Sequence, residues 1–279
     1  MEIPINGISI NVISESNSIS ENKTPILFLH GFTGSCEDWS FLFSSINSKY
    51  FPIAIDLPGH GKTIVPNNPE NYSAQAYSDI IKAVLDYFKI TKVILVGYSM
   101  GGRVALTFTT KYKNRVLGLV LESSTAGIAD KSEREIRIET DSRLADKLRN
   151  EGIDSFINYW LDLPFFKSLK SLDKNKYSKV VVEKKLNSAQ GLANSLLSFS
   201  TGIMPSLWNY LNSLNIPTLL IAGSLDKKYV RINKEMMQLI PNSQLQIINN
   251  CGHNTHLEKR EEFIILVNKF LNNLENYET

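Results

Sequence analysis

Ser99 stands in the string GYSMG, residues 97–101, with a glycine two places to either side. Asp226, in IAGSLDKK, and His253, in NNCGHNTH, follow it along the chain. A serine hydroxyl is a poor nucleophile or base at neutral pH until an imidazole takes its proton, and the imidazole needs a carboxylate to fix its tautomer and support its charge. The three residue types occur in the order Ser, Asp, His that accompanies a G-x-S-x-G turn, in which a strand ends, the serine takes a strained backbone conformation and a helix starts at once. KVILVG before Ser99 predicts that strand, and MGGRVALTFTTKY after it predicts the helix.

Other acids and histidines compete for the supporting roles. Glu122, at the end of VLGLVLE, could supply the acid from a neighbouring strand, but Asp226 has the chain order the motif uses. His256 is expected to begin the last helix, whereas the glycine before His253 lets its loop turn sharply. His60, in DLPGHG, reads as a loop histidine making local hydrogen bonds, and Asp56 in the same loop as a turn-former. An oxyanion needs two backbone N–H groups, and the expected pair is Met100, after the serine, and Phe32, in HGFTGS after the first parallel strand. The four histidines are scattered, with no H-E-x-x-H, C-x-x-C, phosphate loop or dinucleotide fingerprint. Catalysis without metal or cofactor is the expectation.

The elements that must position these residues are legible as a rhythm. IPINGISINV alternates around Asn6-Gly7 and predicts an antiparallel edge hairpin. The unbroken apolar runs PILFLH (25–30), FPIAID (51–56), KVILVG (92–97) and VLGLVLE (116–122) suit strands buried on both faces. Between them lie helical patterns, the clearest at 73–89, where Ala76, Ile80, Ile81, Val84, Leu85 and Phe88 recur behind Ser73 as N-cap. Alternating strand and helix predicts an α/β fold with a mostly parallel sheet and right-handed crossovers. Charged helical stretches replace the strands from about 125 to 214, which predicts an inserted helical cap between core segments 1–124 and 215–279. PTLLIAG, SQLQIIN and the amphipathic EEFIILVNKFLNNL then resume the core pattern.

Composition bounds the partners. A chain of 279 residues, 43% hydrophobic and 21% charged, can bury one large core. A formal charge of +2, from 30 basic and 28 acidic residues without a basic cluster, argues against nucleic acid. Two cysteines make no disulfide framework, the N-terminus lacks the form of a signal peptide, and no apolar run approaches the roughly 18 residues of a membrane span. A cytoplasmic setting is expected, and the oligomeric state is left open.

Arg103 lies four residues after Ser99, so helical geometry can bring it to the serine side of the first turn, although a salt bridge along the helix flank would also place it there. Arg134, Arg137 and Arg143 punctuate one predicted cap helix, with Arg137 the strongest second candidate. Guanidinium forks suit the bidentate capture of carboxylates, so the site is expected to take an anion. Trp160 could add an apolar wall.

HGFTGS, DLPGHG, GYSMGGR, ESSTAGI followed by R-x-x-R, TGIMPSLW, IAGSLDKK and CGHNTH together resemble the α/β-hydrolase-fold 2-succinyl-6-hydroxy-2,4-cyclohexadiene-1-carboxylate synthases of menaquinone and phylloquinone biosynthesis. The resemblance runs from about residue 25 to the C-terminus. It implies a lyase that removes a ring proton and expels pyruvate from a small polycarboxylate, 2-succinyl-5-enolpyruvyl-6-hydroxy-3-cyclohexene-1-carboxylate. It further implies Ser99, Asp226 and His253 as triad, with Tyr98, Arg103, Arg137 and Trp160 contacting substrate. Charge developing on the adjacent carboxylate would be held by the Phe32 and Met100 amides. Where the family tends to carry a further cap arginine, this chain reads VEKKLNSAQGLA, which makes Lys184 or Lys185 its stand-in. Lysine keeps the charge and loses the planar fork. A serine carboxylesterase or C–C hydrolase on the same fold, and a non-catalytic ligand receptor, are the alternatives.

Overall fold

The computed structural model describes residues 1–5, 7–16, 18–19 and 22–274. Eight strands form one sheet: β1 (Glu2–Ile5), β2 (Ile8–Ser14), β3 (Thr24–Leu29), β4 (Tyr50–Ile55), β5 (Val93–Tyr98), β6 (Val116–Glu122), β7 (Thr218–Gly223) and β8 (Ser243–Ile248). Their order is β1-β2-β4-β3-β5-β6-β7-β8. β1 and β2 are antiparallel, and all pairings from β4 to β8 are parallel. The predicted edge hairpin is present, with Gly7 at φ 80°; Asn6, the other half of the expected turn, lies outside the described residues.

The apolar runs are unbroken because side chains of one strand alternate between two covered faces. Leu27, Leu29, Leu95, Leu119 and Leu121 face the helices α2 (Ala74–Tyr87) and α3 (Met100–Lys111), where Ile81, Val84, Val104 and Phe108 meet them. Ile26, Phe28, Ile94, Val96 and Val120 face the opposite way, towards Trp39, just before α1 (Ser40–Phe43), and the apolar stripe Phe263, Val267, Phe270 and Leu271. Ser73 caps α2 as expected, its side chain accepting from the Ala76 amide at 3.2 Å.

Between β6 and β7 the chain leaves the sheet and forms α4 (Lys131–Asp162), α5 (Lys174–Lys185) and α6 (Ala189–Phe199). α4 breaks at Gly152, whose φ of 78° is costly for any residue with a Cβ. These helices gather their own core, with Leu148, Phe156, Ile157, Trp160, Leu192 and Leu196 buried together over the carboxyl ends of the strands. The C-terminal part of the chain supplies α7 (Lys227–Leu239), α8 (Thr255–Glu258) and α9 (Arg260–Leu274). His256 therefore sits inside a short separate helix and does not begin the last one. Among the described residues no helix is long and apolar enough to cross a membrane.

Candidate active site

β5 ends at Tyr98 and α3 begins at Met100, so Ser99 alone makes the turn, at φ 49° and ψ −102°. That conformation lies outside the regions open to ordinary L-residues and persists only because the surroundings hold it. The Ser99 amide donates to the Glu122 carbonyl at 2.8 Å, and its carbonyl accepts from Ser124 Oγ at 3.0 Å. The flanking glycines allow the close approach: a Cβ on Gly97 would meet the backbone of Gly101, and one on Gly101 would run into the carbonyls of Leu29 and His30. Gly101→Ala is accordingly expected to lower the unfolding free energy by about 2–3 kcal/mol through overpacking against backbone. Urea denaturation reads this, and an unchanged midpoint would contradict the close contact between α3 and β3.

Asp226 caps α7, with Oδ1 accepting from the Tyr229 amide at 3.2 Å. Its Oδ2 lies 2.6 Å from His253 Nδ1, and His253 Nε2 lies 3.1 Å from Ser99 Oγ. With Nδ1–H donating to the carboxylate, Nε2 is free to accept the serine proton. His253 and Asp226 are both buried. The structure thus brings the three residues together from the ends of β5, β7 and β8.

The rivals occupy other positions. Glu122 is fully buried and accepts from Thr255 Oγ1 at 2.7 Å, the His256 amide at 3.0 Å and His256 Nδ1 at 2.7 Å. The two competing residues pair with each other, and His256 stacks on Trp39 at 4.5 Å. Asp56 accepts from the Cys36 amide, the Lys62 amide and Asn11 Nδ2, which makes it an organiser of its loop. His60 Nδ1 lies 3.0 Å from the Pro58 carbonyl. Burial lowers the pKa of both His60 and His30 and keeps them neutral.

The Phe32 loop is fixed through His30, whose Nδ1 donates to the Gly31 carbonyl at 2.8 Å while Nε2 accepts from the Leu57 amide at 2.9 Å. From the cap, Asn187 Nδ2 donates to the Thr33 carbonyl at 3.0 Å. Among the described residues the Phe32 N–H has no acceptor. The Met100 N–H is the first of α3 and has no partner within the helix. Phe32, Met100 and Ser99 line one cavity of about 320 Å³.

Trp160 stands edge-on to Phe32 at 5.2 Å, and Phe165 and Phe166 present their edges to the His253 ring. These rings form the apolar wall of the cavity. Tyr98 also lines it, but its hydroxyl donates to Asn254 Oδ1 at 2.7 Å, so its ring is what it offers.

Cations also line the cavity. Arg103 is buried, with Nη1 donating to the Phe199 carbonyl at 2.6 Å and its guanidinium over the Phe199 ring. Among the described residues it forms no ion pair, so the flank salt bridge considered for it is absent. Burial lowers its pKa to about 10, which leaves it charged at neutral pH. Arg137 does have such a bridge, from Nε to the buried Asp141 at 2.7 Å. Burial, the largest single influence, opposes the Arg137 charge, but the hydrogen bond to Asp141 and the charge of that carboxylate together outweigh it, so the pKa is raised.

Lys184 and Lys185 do not line the cavity. Lys184, in the last turn of α5, is buried, and burial lowers its pKa against the nearby charge of Asp38, while Lys185 pairs with Asp154 at 3.0 Å. A charge run cannot tell whether its helix reaches the site, and here no residue of α5 lines the cavity. The third cation on the cavity is Lys228, from the first turn of α7, with its pKa lowered by burial and by Arg137. Its place two residues after Asp226 is the signal that sequence reasoning passed over, together with Tyr229 beside it.

The model of the alpha/beta hydrolase fold matches residues 24–260. The chain is 37% identical to a Bacillus subtilis (strain 168) protein provisionally named 2-succinyl-6-hydroxy-2,4-cyclohexadiene-1-carboxylate synthase, over 96% of each. It is 31% identical to the Salmonella agona (strain SL483) enzyme of that name, over 84% of this chain and 88% of that one. The structure of MenH from S. aureus superposes with a TM-score of 0.89 at 32% identity, covering 95% of this chain and 98% of the other.

Proposed function

Because the chain belongs to the 2-succinyl-6-hydroxy-2,4-cyclohexadiene-1-carboxylate synthase family, a lyase family of the α/β-hydrolase fold, we propose that Ser99, His253 and Asp226 carry out its proton transfers and that Arg103, Arg137 and Lys228 anchor its substrate. Its activity is that of this synthase, in menaquinone or phylloquinone biosynthesis. The substrate, 2-succinyl-5-enolpyruvyl-6-hydroxy-3-cyclohexene-1-carboxylate, differs from the product by the proton on ring carbon 2 and the enolpyruvyl group on carbon 5. The C–H bond at carbon 2 breaks, the ring double bond shifts, a second one forms, and the C–O bond at carbon 5 releases enolpyruvate.

His253 accepts the Ser99 proton, and Ser99 Oγ takes the proton from carbon 2. The proton held on His253 returns to the departing enolpyruvate, which becomes pyruvate. Carbon 2 carries the succinyl ketone, so the developing negative charge delocalises onto that carbonyl oxygen and not onto the adjacent carboxylate. The Phe32 and Met100 amides are the donors available to it. The substrate's three carboxylates match three cations on the wall.

The observation that carries this reading is Arg103: a buried guanidinium without an ionic partner among the described residues, one helical turn from Ser99 and in the same cavity. An unpaired buried charge is costly unless a ligand completes it, and a polycarboxylate does so. A simple carboxylesterase has no use for such a wall. The two buried, unpaired cysteines support a cytoplasmic setting for the reaction. Incubating the purified protein with the enolpyruvyl substrate is expected to release pyruvate in step with a new diene absorbance. Absence of both, or rapid turnover of aryl esters with an acyl-enzyme burst, would overturn the reading.

A further inference from the structure

We propose that Tyr229 is a further substrate-contacting residue, its hydroxyl donating a hydrogen bond to a substrate carboxylate held between Arg103 and Arg137. The inference rests on the lyase reading and adds a neutral donor to its cationic wall. Tyr229 is the third residue of α7, and its amide donates to Asp226 Oδ1 at 3.2 Å. The carboxylate that orients His253 therefore also fixes Tyr229. The Tyr229 ring packs against the His253 ring, with centroids 4.7 Å apart at 60°.

The hydroxyl is what needs explaining. Tyr229 is half-buried and lines the cavity beside His253, and a phenol hydroxyl so placed ordinarily bonds to a neighbouring group or to whatever fills the cavity. Two other phenols around the site do so: Tyr98 donates to Asn254, and Tyr77 meets Ser195 Oγ at 3.1 Å. Among the described residues the Tyr229 hydroxyl has none, and the residue lines the cavity. Arg103 and Arg137 both lie within electrostatic reach of it. Burial raises the phenol pKa and the two guanidiniums only partly offset this, so the group is a neutral donor at neutral pH. Guanidinium and ammonium groups have no acceptor to offer it. The wall thus presents several donors to one space, which an oxyanion of the ligand satisfies together.

Tyr229→Phe removes one oxygen and keeps the ring against His253, which makes it a clean test. The expected result is a fall in kcat/KM of about 10- to 100-fold, carried mainly by a rise in KM, the scale of a hydrogen bond to a charged group. The thermal midpoint should stay within a degree or two of the parent. Calorimetric binding of succinate, used as a dicarboxylate probe, should weaken by about the same factor. Unchanged KM and unchanged succinate affinity in Tyr229→Phe would overturn the assignment, as would failure of succinate to bind either protein. If the enolpyruvyl substrate is not turned over at all, the lyase mechanism fails, while succinate binding still decides the role of Tyr229.

Discussion

Ser99→Ala is expected to lower the rate of pyruvate release by about 10³-fold with little change in KM, because it removes the group proposed to take the ring proton and leaves the cationic wall intact. General acid–base contributions of roughly 10² to 10⁴ set that scale. His253→Ala should cost about as much, since Ser99 Oγ lies 3.1 Å from His253 Nε2 and is not activated without it. The two residues act as one unit, so the double variant should be only a few-fold worse than either alone. Single-turnover measurements on all three proteins check this. Two independent losses that multiply would mean that serine and histidine act in separate steps. Ser99→Ala with unchanged activity would place the chemistry elsewhere.

The second large effect is at Arg103. Arg103→Met keeps the length and packing of the side chain and removes its charge. If a substrate carboxylate completes this guanidinium, kcat/KM should fall by about 2–4 kcal/mol, roughly 30- to 1,000-fold. Stability should move the other way or not at all. The charge is desolvated and has no ionic partner among the described residues, so folding gains from its removal. The Phe199 carbonyl loses its donor, which limits that gain. An arginine conserved in place by a structural salt bridge would behave oppositely, with stability lost and activity kept. Thermal unfolding and steady-state kinetics on the same preparation separate the two. Arg137→Met should cost less in binding, because Asp141 already meets part of that charge, and more in stability, because it leaves the Asp141 carboxylate buried alone.

The triad was legible in the sequence because each member is announced locally. Gly97 and Gly101 are required by contacts within a few ångströms of the turn, and Asp226 and His253 each end a recognisable strand. The sheet was legible for a related reason: a strand covered on both faces has no polar positions to blur it. The site's cations were less legible. Arg137 and Asp141 form an i,i+4 pair that the sequence contains, yet only the structure shows Asp141 buried beneath it. Lys184 matched an expected charge, but no residue of α5 lines the cavity, because that helix packs against α4 away from it. Lys228 and Tyr229 reach the site because Asp226 caps α7 and so starts the helix at the edge of the cavity, a tertiary fact that no periodicity encodes. The Glu122–His256 pair joins residues 134 positions apart and becomes visible only once β6 and α8 are set side by side.

The central claim is that Ser99 moves a proton and never bonds to carbon. Acid quenching of the protein during steady turnover of the enolpyruvyl substrate, followed by intact mass and peptide mapping, tests it most directly. The account predicts the unmodified mass at every time point, with pyruvate accumulating throughout. A substrate-derived ester on Ser99, formed and consumed at the rate of turnover, would contradict it.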